Sequence, residues 1–179
     1  MSEKKLNLGC GTNIKTGWIN MDCADLPGVD VVHDIERVPL PFGSEEFDII
    51  RCDNVLEHVD YIPVLKNLHR ILKTKGCLIV RVPHFTARIN YSDPTHKKLF
   101  SIDTFNFFVD GITDKNYYFD FHFSKIKCKK IRFLKKGIFW INRLIEPIIN
   151  CSPRVQYFYE CSFLSRIFPA NHIYIEIIK

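Results

Sequence analysis

Short runs of apolar residues recur through the first half of the chain, and each ends at a glycine, a proline or a polar residue. Such runs predict buried strands, because the strands of a parallel sheet covered on both faces are apolar along nearly their whole length. Loops or a helical segment separate them, which is the alternation of an α/β fold. The predicted strands lie around Leu6 and Leu8 and over residues 18–21, 29–35, 47–52 and 77–82.

One amphipathic helix is predicted between the last two of these strands. Apolar residues at helical spacing follow Asp60, a favoured N-cap residue, and continue to Leu72. Gly76 is well placed as the C-cap that ends this helix. Later in the chain, residues 125–136 alternate basic with apolar side chains and predict a strand with one solvated face, and residues 173–178 predict a closing strand.

The first strand runs directly into the turn Gly9-Cys10-Gly11. Glycine has no Cβ, so backbone at this turn can approach a ligand closely. Asn13 follows, and asparagine tolerates positive φ well enough to keep the turn tight. Asp22 ends the second strand, where a carboxylate can hold a ribose diol. The alternative is an ordinary strand-turn-strand unit with a surface aspartate.

A nicotinamide dinucleotide site is disfavoured by the spacing of this turn. The dinucleotide fingerprint is G-x-G-x-x-G at the start of a helix. Here the sixth position is Ile14, and the eight residues 10–17 are too few for a helix of ordinary length. The connection between the first two strands must therefore be unusually compact.

Length and composition fit one globular α/β domain. The chain has 179 residues, of which 46% are apolar and 25% charged, so it is neither disordered nor membrane-spanning in character. No apolar run approaches a membrane span and the N-terminus lacks a signal-peptide core, so a cytoplasmic protein is expected. The seven cysteines are scattered and never form a Cys-x-x-Cys pair, which argues against a disulfide framework and a zinc site.

The net charge of +5 conceals an uneven distribution. Residues 1–120 carry 14 Lys and Arg against 17 Asp and Glu, whereas residues 121–179 carry 11 against three. The basic and apolar segment from Lys125 to Asn150 has three interpretations: a solvated strand, a surface for a negatively charged substrate or an anionic membrane, and a nucleic-acid site. Nucleic acid is disfavoured, because the segment contains no recognisable binding module.

Four pieces of sequence occur in a fixed order: LNLGCGTN, the acidic Asp22, LPF with GSEEFDII and NVLEHV, and LHRILKTKGCLIVRVP. In this order the chain resembles the class I S-adenosylmethionine-dependent methyltransferases, specifically their small type 11 branch, over residues 5–85. A second segment, VPHFTARINYSDPTHKKLFSIDTF, resembles a subgroup often met among cell-envelope polysaccharide genes.

The resemblance implies one Rossmann-like domain over residues 1–179, with residues 1–85 as the cofactor-binding half and 86–179 as an acceptor-side cap with closing strands. The implied sheet is twisted and mostly parallel, with an antiparallel last strand, helices on both faces and a shortened helix after the first strand. The implied cofactor is S-adenosylmethionine. Its implied contacts are Gly9, Cys10 and Gly11 at the methionine portion, Asp22 at the ribose, Asp34 and Ile35 at the adenine, and Asp53 and Asn54 near the sulfonium.

Methyl transfer to a hydroxyl also needs a group that removes the hydroxyl proton. His84, Asp93 and His96 follow the fifth strand within one loop. Our hypothesis is that His84 or His96 is the base and Asp93 orients it. Two alternatives stay open: Asp93 and His96 form a capped turn, or the three side chains bind a divalent metal; we predict no metal.

The sequence thus predicts a methyltransferase that O-methylates a sugar or another small hydroxylated acceptor. The alternative is a noncatalytic subunit that binds S-adenosylmethionine or S-adenosylhomocysteine within an envelope glycan assembly complex. The basic C-terminal third adds the hypothesis of a peripheral place at the inner face of the membrane. The sequence leaves the oligomeric state open.

Overall fold

A computed structural model describes residues 3–179 and contains a sheet of seven strands in the order β3-β2-β1-β4-β5-β7-β6. Neighbours from β3 through β5 are parallel, and β7 runs antiparallel to both β5 and β6. The predicted mostly parallel sheet with an antiparallel last strand is confirmed. The strands are β1 Lys5–Leu8, β2 Ile19–Asp22, β3 Val31–Val32, β4 Phe47–Asp53, β5 Leu72–Pro83, β6 Lys125–Arg132 and β7 His172–Ile178.

Five α-helices of the described chain accompany the sheet. One connects β4 to β5, a short one follows β5, and three lie between β6 and β7. Single-turn 3-10 segments lie at Thr104–Phe108, Asn116–Tyr118 and Gly137–Ile141. The helices are α1 Tyr61–Ile71, α2 Ile89–Ser92, α3 Asn142–Ile149, α4 Pro153–Cys161 and α5 Leu164–Ile167.

The predicted helix starts at its expected N-cap, Asp60, but it ends at Ile71 and not at Gly76. Leu72 is extended and lies opposite Phe47 in the sheet, where both side chains are fully buried. The last helical carbonyls are satisfied by the loop before β4, since Ile71 accepts a hydrogen bond from the Glu46 amide at 2.8 Å. Burial of Leu72 in the sheet therefore ends the helix, and no glycine cap is needed.

The shortened helix expected after β1 is absent. Residues 9–18 contain turns only, and Gly9, Gly11 and Gly17 within them have positive φ. Asn13 is not among the described residues with positive φ, so the glycines alone supply the tight geometry that was also assigned to asparagine. The third predicted strand is likewise reduced to Val31–Val32.

The hydrophobic core lies on one face of the sheet. Leu8, Cys52 and Val80 are neighbours across three strands on that face, and each is at most 1% exposed. Right-handed crossovers place the β1-to-β3 connections on the opposite face, because the strand order reverses at β1. Those connections, residues 9–18 and 23–30, contain no helix, so helical cover is thin there. On that face the Arg51 side chain is 27% exposed.

Candidate active site

A cavity of about 360 Å³ lies at the carboxyl ends of β1 to β4. Ligands of open α/β sheets bind at this edge, where the strand order reverses, and the volume is typical of a small-molecule site. Its wall combines apolar side chains with several polar ones. The lining residues are Leu8, Gly9, Met21, Asp22, Cys23, His33, Asp34, Ile35, Glu36, Asn54, Val55, His58 and Val59.

Five of the eight predicted cofactor residues line this cavity. They are Gly9, Asp22, Asp34, Ile35 and Asn54. The other three, Cys10, Gly11 and Asp53, do not line it. Cys10 is 5% exposed, and its amide donates to the Met21 carbonyl at 3.1 Å.

Gly9 lies directly after β1 and packs against Val55, which follows β4. Its φ is +62°, and a Cβ added there would lie 2.3 Å from Cγ2 of Val55. No other residue fits without moving Val55, which is itself part of the cavity wall. The glycine turn therefore shapes the cavity by bringing two strand ends together.

Asp22 is held by the turn that it faces. Its Oδ2 accepts a hydrogen bond from the Gly11 amide at 2.7 Å, and its Oδ1 accepts one from the Ala24 amide at 3.0 Å. Burial raises the pKa of this carboxyl, but the amide hydrogen bonds outweigh burial and leave the pKa below its ordinary value. The carboxylate is thus kept ionised, with acceptor capacity left for a ligand hydroxyl.

Asp53 and Asn54 end β4 with different surroundings. Asp53 Oδ2 accepts a hydrogen bond from Arg51 Nε at 2.8 Å, on the thinly covered face of the sheet. Asn54 has a φ of +55° and lines the cavity. Its buried Oδ1 finds no hydrogen-bond partner within residues 3–179. A buried amide oxygen in a ligand cavity is an acceptor that a bound molecule can satisfy.

Asp34 lies at the open rim. Its side chain is 45% exposed, and its Oδ1 accepts a hydrogen bond from the Glu36 amide at 3.0 Å. Ile35 packs against the core from the same loop. The pair offers a polar edge and an apolar surface to a flat ring, as the resemblance implies.

His84 does not reach an acceptor, contrary to the hypothesis that it is a base. Its side chain is fully buried, and both ring nitrogens have partners. Nδ1 lies 2.7 Å from Thr86 Oγ1, and Nε2 lies 2.9 Å from Glu160 Oε1. Residue 84 therefore ties the end of β5 to α4 and has a structural role.

Asp93 and His96 lie together, beside a residue that sequence reasoning left out. Asp93 Oδ2 is 3.6 Å from His96 Nε2, and the His96 ring packs edge-on against His58 with centroids 4.7 Å apart. Burial and the neighbouring His58 lower the pKa of His96 against the opposing effect of Asp93. Because His58 lines the cavity, this cluster connects the loop after β5 to the site.

The capped turn also exists, so the two interpretations of the loop are compatible. Asp93 Oδ1 accepts hydrogen bonds from the Thr95 amide at 2.9 Å and from Thr95 Oγ1 at 2.6 Å. Thr95 Oγ1 in turn lies 2.8 Å from His58 Nδ1. The turn thus holds both histidine rings in place.

The alternative metal set of His84, Asp93 and His96 is not assembled, because His84 is occupied by Glu160. A different set, Glu57, His58 and His96, has one donor atom from each residue within 4.8 Å of one another. Two ligands of one ion lie at most about 4.2 Å apart, twice a bond of about 2.1 Å. The set is still a candidate cation site, and the proposed function below does not use a metal.

Glu57 is 1% exposed, and burial raises the pKa of its carboxyl to about 7. Its Oε2 has no hydrogen-bond partner in the described part of the chain. Neither Glu57 nor His58 is among the site residues that the sequence predicts. Their place shortly after Asn54 at a strand end was the available signal that Glu57 and His58 belong to the site.

The methyltransferase domain family, of type 11, matches residues 30–80. MJ0638 of Methanocaldococcus jannaschii is 33% identical over 143 residues, which are 78% of this chain and 57% of that protein. The chain therefore spans less than two thirds of the length of this relative.

Solved structures of S-adenosylmethionine-dependent methyltransferases share the whole fold. One from Archaeoglobus fulgidus has a TM-score of 0.61 at 18% identity, over 99% of this chain and 86% of that one. The cyclase SpnF has a TM-score of 0.59 at 13% identity, over 99% of this chain and 74% of that one. The fold is that of the class I methyltransferases.

Residues 30–80 match the methyltransferase domain family, and S-adenosylmethionine is the cofactor that this match and the fold imply. One observation shows that the cavity fits that cofactor. Asn54 lines the cavity, and its buried Oδ1 has no hydrogen-bond partner within the described residues, so it can accept a hydrogen bond from the cofactor.

The described residues include no helix of the length and apolarity that a membrane crossing requires.

Proposed function

We propose that the protein transfers the methyl group of S-adenosylmethionine to a hydroxyl oxygen of a small acceptor, and that this acceptor is a sugar. The observation that carries the proposal is the contact of His96 with His58 in the cavity wall. It places a neutral imidazole, with a lowered pKa, beside the cofactor cavity. A hydroxyl acceptor needs such a group, because a general base works best when its pKa lies near the operating pH.

Cofactor binding and proton removal are assigned to different residues of this chain. Asp22 and Asn54 offer acceptors to the cofactor, which when bound supplies a methyl group on a positively charged sulfur for in-line attack. Asn90 Oδ1 lies 3.3 Å from His96 Nδ1 and favours the tautomer with the proton on Nδ1, so His96 Nε2 takes the acceptor proton. The Asp93 carboxylate, 3.6 Å from Nε2, then stabilises the imidazolium. Holding an acceptor in line with the methyl group can lower the barrier by about 7–11 kcal/mol.

The sugar as acceptor rests on the resemblance of the PHFTARINYSDPTH segment to methyltransferases of envelope polysaccharide genes. The second candidate is a noncatalytic cofactor-binding subunit of a glycan assembly complex. SpnF, which is described as a cyclase, has the same fold, so the fold alone does not imply methyl transfer. The two candidates share the cofactor cavity and differ at His96.

Radiolabel transfer separates these candidates. The wild-type protein and His96→Gln are incubated with methyl-labelled S-adenosylmethionine and a panel of free and nucleotide-linked sugars. We expect label in one class of sugar, a rate lower by about 10²–10⁴-fold in His96→Gln, and unchanged affinity for S-adenosylhomocysteine. His122→Gln, remote from the cavity, is the control and should keep the wild-type rate.

Two other results would change the assignment. Tight binding of S-adenosylhomocysteine with no label in any sugar or glycan extract would favour the noncatalytic subunit. Full activity of His96→Gln would reject the proposed base. A rate abolished by EDTA and restored by a divalent cation would reassign Glu57, His58 and His96 to a metal site.

A further inference from the structure

The helices between β6 and β7 present apolar side chains to solvent. Eleven of the twenty exposed large hydrophobic residues of the described chain lie within residues 134–167. Ile138 is 84% exposed, Phe163 is 70% exposed and Trp140 is 61% exposed. Ten of these eleven residues, together with Lys136, Arg143 and Arg154, form what we call the basic-apolar surface. Its apolar members are Ile138, Phe139, Trp140, Ile141, Leu144, Ile148, Tyr157, Phe158, Phe163 and Ile167.

The α3 helix carries apolar side chains on its outer face as well as its inner face. Its buried face contains Asn142 and Glu146 beside Ile149, whereas Leu144 and Ile148 are 62% and 63% exposed. Residues four apart share one helical face, so these two side chains form an outward apolar stripe. A surface helix of a globular protein normally turns its apolar stripe to the core.

Helix α4 follows the same pattern. Gln156 is 3% exposed and donates to the Lys129 carbonyl at 3.2 Å, which fixes α4 to β6, and Tyr159 is fully buried. Tyr157 and Phe158 point away from the protein, each 62% exposed. Both helices are thus held to the sheet edge by buried polar and apolar side chains, and further aromatic and aliphatic side chains are left exposed.

The charge of this surface has one sign. Lys136, Arg143 and Arg154 are exposed and form no ion pair within the described residues. The two carboxylates of residues 134–167 are turned inward. Glu146 is 7% exposed and pairs with Arg132 and Lys135, and Glu160 is 10% exposed and bonds to His84.

We propose that the basic-apolar surface docks on a lipid bilayer that contains anionic lipid. Exposed Trp, Phe, Ile and Leu side chains suit the boundary between headgroups and acyl chains, and Lys and Arg suit lipid phosphates. A second copy of this chain is a poorer occupant, because two-fold symmetry would place the same cations opposite one another. Nucleic acid does not require the apolar side chains.

A side-chain hydrogen bond connects the basic-apolar surface to the loop of the candidate active site. Glu160 on α4 bonds to His84 at the end of β5, and the loop that carries Asp93 and His96 begins after His84. Docking would bring this loop toward the membrane, where an acceptor anchored by a lipid would be presented. This last step rests on the proposed function, whereas docking itself does not.

Flotation with vesicles tests the docking without cofactor or acceptor. Wild-type protein should float with phosphatidylcholine vesicles that contain phosphatidylglycerol, and less with phosphatidylcholine alone. The variant Ile138→Ser/Trp140→Ser should lose at least tenfold in partitioning, on the basis of about 0.8 kcal/mol for each CH₂ withdrawn from lipid. The matched control is Leu99→Ser/Tyr117→Ser, which removes side chains 57% and 78% exposed outside the surface.

A second variant tests the charge. Lys136→Gln/Arg143→Gln/Arg154→Gln should weaken binding to anionic vesicles about fivefold for each charge removed and leave the thermal unfolding temperature unchanged. No flotation of the wild type, or equal loss in the Leu99/Tyr117 control, would overturn the proposal. A concentration-dependent dimer abolished by Ile138→Ser/Trp140→Ser would also overturn it and assign the surface to a second copy.

Discussion

The cofactor end of the sheet and the helices between β6 and β7 use polar and apolar side chains in opposite ways. At the cofactor end, backbone amides and Asp22 close a tight turn around a cavity with a partly apolar wall. In α3 and α4, Glu146 and Gln156 face inward while Leu144 and Phe158 face solvent. Polar side chains are buried in both regions, but α3 and α4 leave more of their apolar side chains exposed than the cofactor end does.

This difference indicates what kind of partner each region binds. A concave wall with convergent acceptors fits a small molecule. The basic-apolar surface groups its exposed hydrophobic residues together, whereas a monomeric globular protein normally exposes such residues singly. The following variants probe the two regions, from the largest expected effect to the smallest.

Substitution of Gly9 should have the largest effect. In Gly9→Ala the Cβ would lie 2.3 Å from Val55 Cγ2 at a φ of +62°. Backbone strain of about 1–2 kcal/mol adds to overpacking of about 1–3 kcal/mol, and the cavity wall moves. Urea unfolding should show the loss of stability, and calorimetry should show loss of S-adenosylhomocysteine binding.

Gly11→Ala is the control for Gly9→Ala. Its φ is +48°, but no atom lies within 4 Å of the added Cβ. It should therefore show only the strain of about 1–2 kcal/mol. Equal losses in the two variants would show that the contact with Val55 does not matter.

Replacement of His84 should lower the stability of the protein more than its rate of methyl transfer. His84→Ala removes one hydrogen bond from Thr86 and one from Glu160 at the junction with α4, and each of these side chains keeps another partner. Loss of the two hydrogen bonds costs about 1–3 kcal/mol in total. Denaturant unfolding should report this loss, and S-adenosylhomocysteine affinity should stay near that of the wild type. A fully stable variant with abolished methyl transfer would restore His84 as the base.

The pH dependence of the rate should report the protonation of the His96 imidazole. Burial and His58 lower its pKa below the ordinary value of 6.5, and Asp93 opposes them. The imidazole must be neutral to accept a proton, so the rate should hold from neutral pH down to below pH 6.5. Below its pKa the rate should fall about tenfold per pH unit, or about 1.4 kcal/mol. An acid limb with a midpoint above 6.5 would contradict this environment.

Two adjacent residues of α3 should differ in their effect on stability. Ile149 is 7% exposed and belongs to the core, whereas Ile148 is 63% exposed. Ile149→Val should cost about 0.5–1.5 kcal/mol, and Ile148→Val less than about 0.5 kcal/mol. Thermal unfolding of both variants checks the orientation of the helix. Equal losses would show that Ile148 is covered in the isolated protein.

Much of the fold follows from local patterns in the sequence. The apolar runs located the strands around Leu8 and Cys52, because a fully buried strand is marked by composition alone. The end of α1 was mispredicted because Leu72 pairs with Phe47, a contact between residues far apart in sequence. A propensity for a glycine cap cannot show such tertiary pairing.

The site divides in the same way. Gly9 and Asp22 belong to one strand-turn-strand unit, so their neighbourhood could be predicted from spacing. The partner of His84 is Glu160, 76 residues away, and no local pattern reveals that bond. The contact of His58 with His96 also joins separate loops, and no local pattern in the sequence reveals it.

The central claim is that the cavity beside Gly9 and Asp22 binds S-adenosylmethionine. A thermal-shift panel with S-adenosylmethionine, S-adenosylhomocysteine and NAD tests it on the wild type, Asp22→Ala and the exposed control Asp25→Ala. We predict stabilisation of the wild type and Asp25→Ala by the first two compounds, loss of that stabilisation in Asp22→Ala, and no effect of NAD. Stabilisation by NAD alone, or an undiminished shift in Asp22→Ala, would contradict the claim.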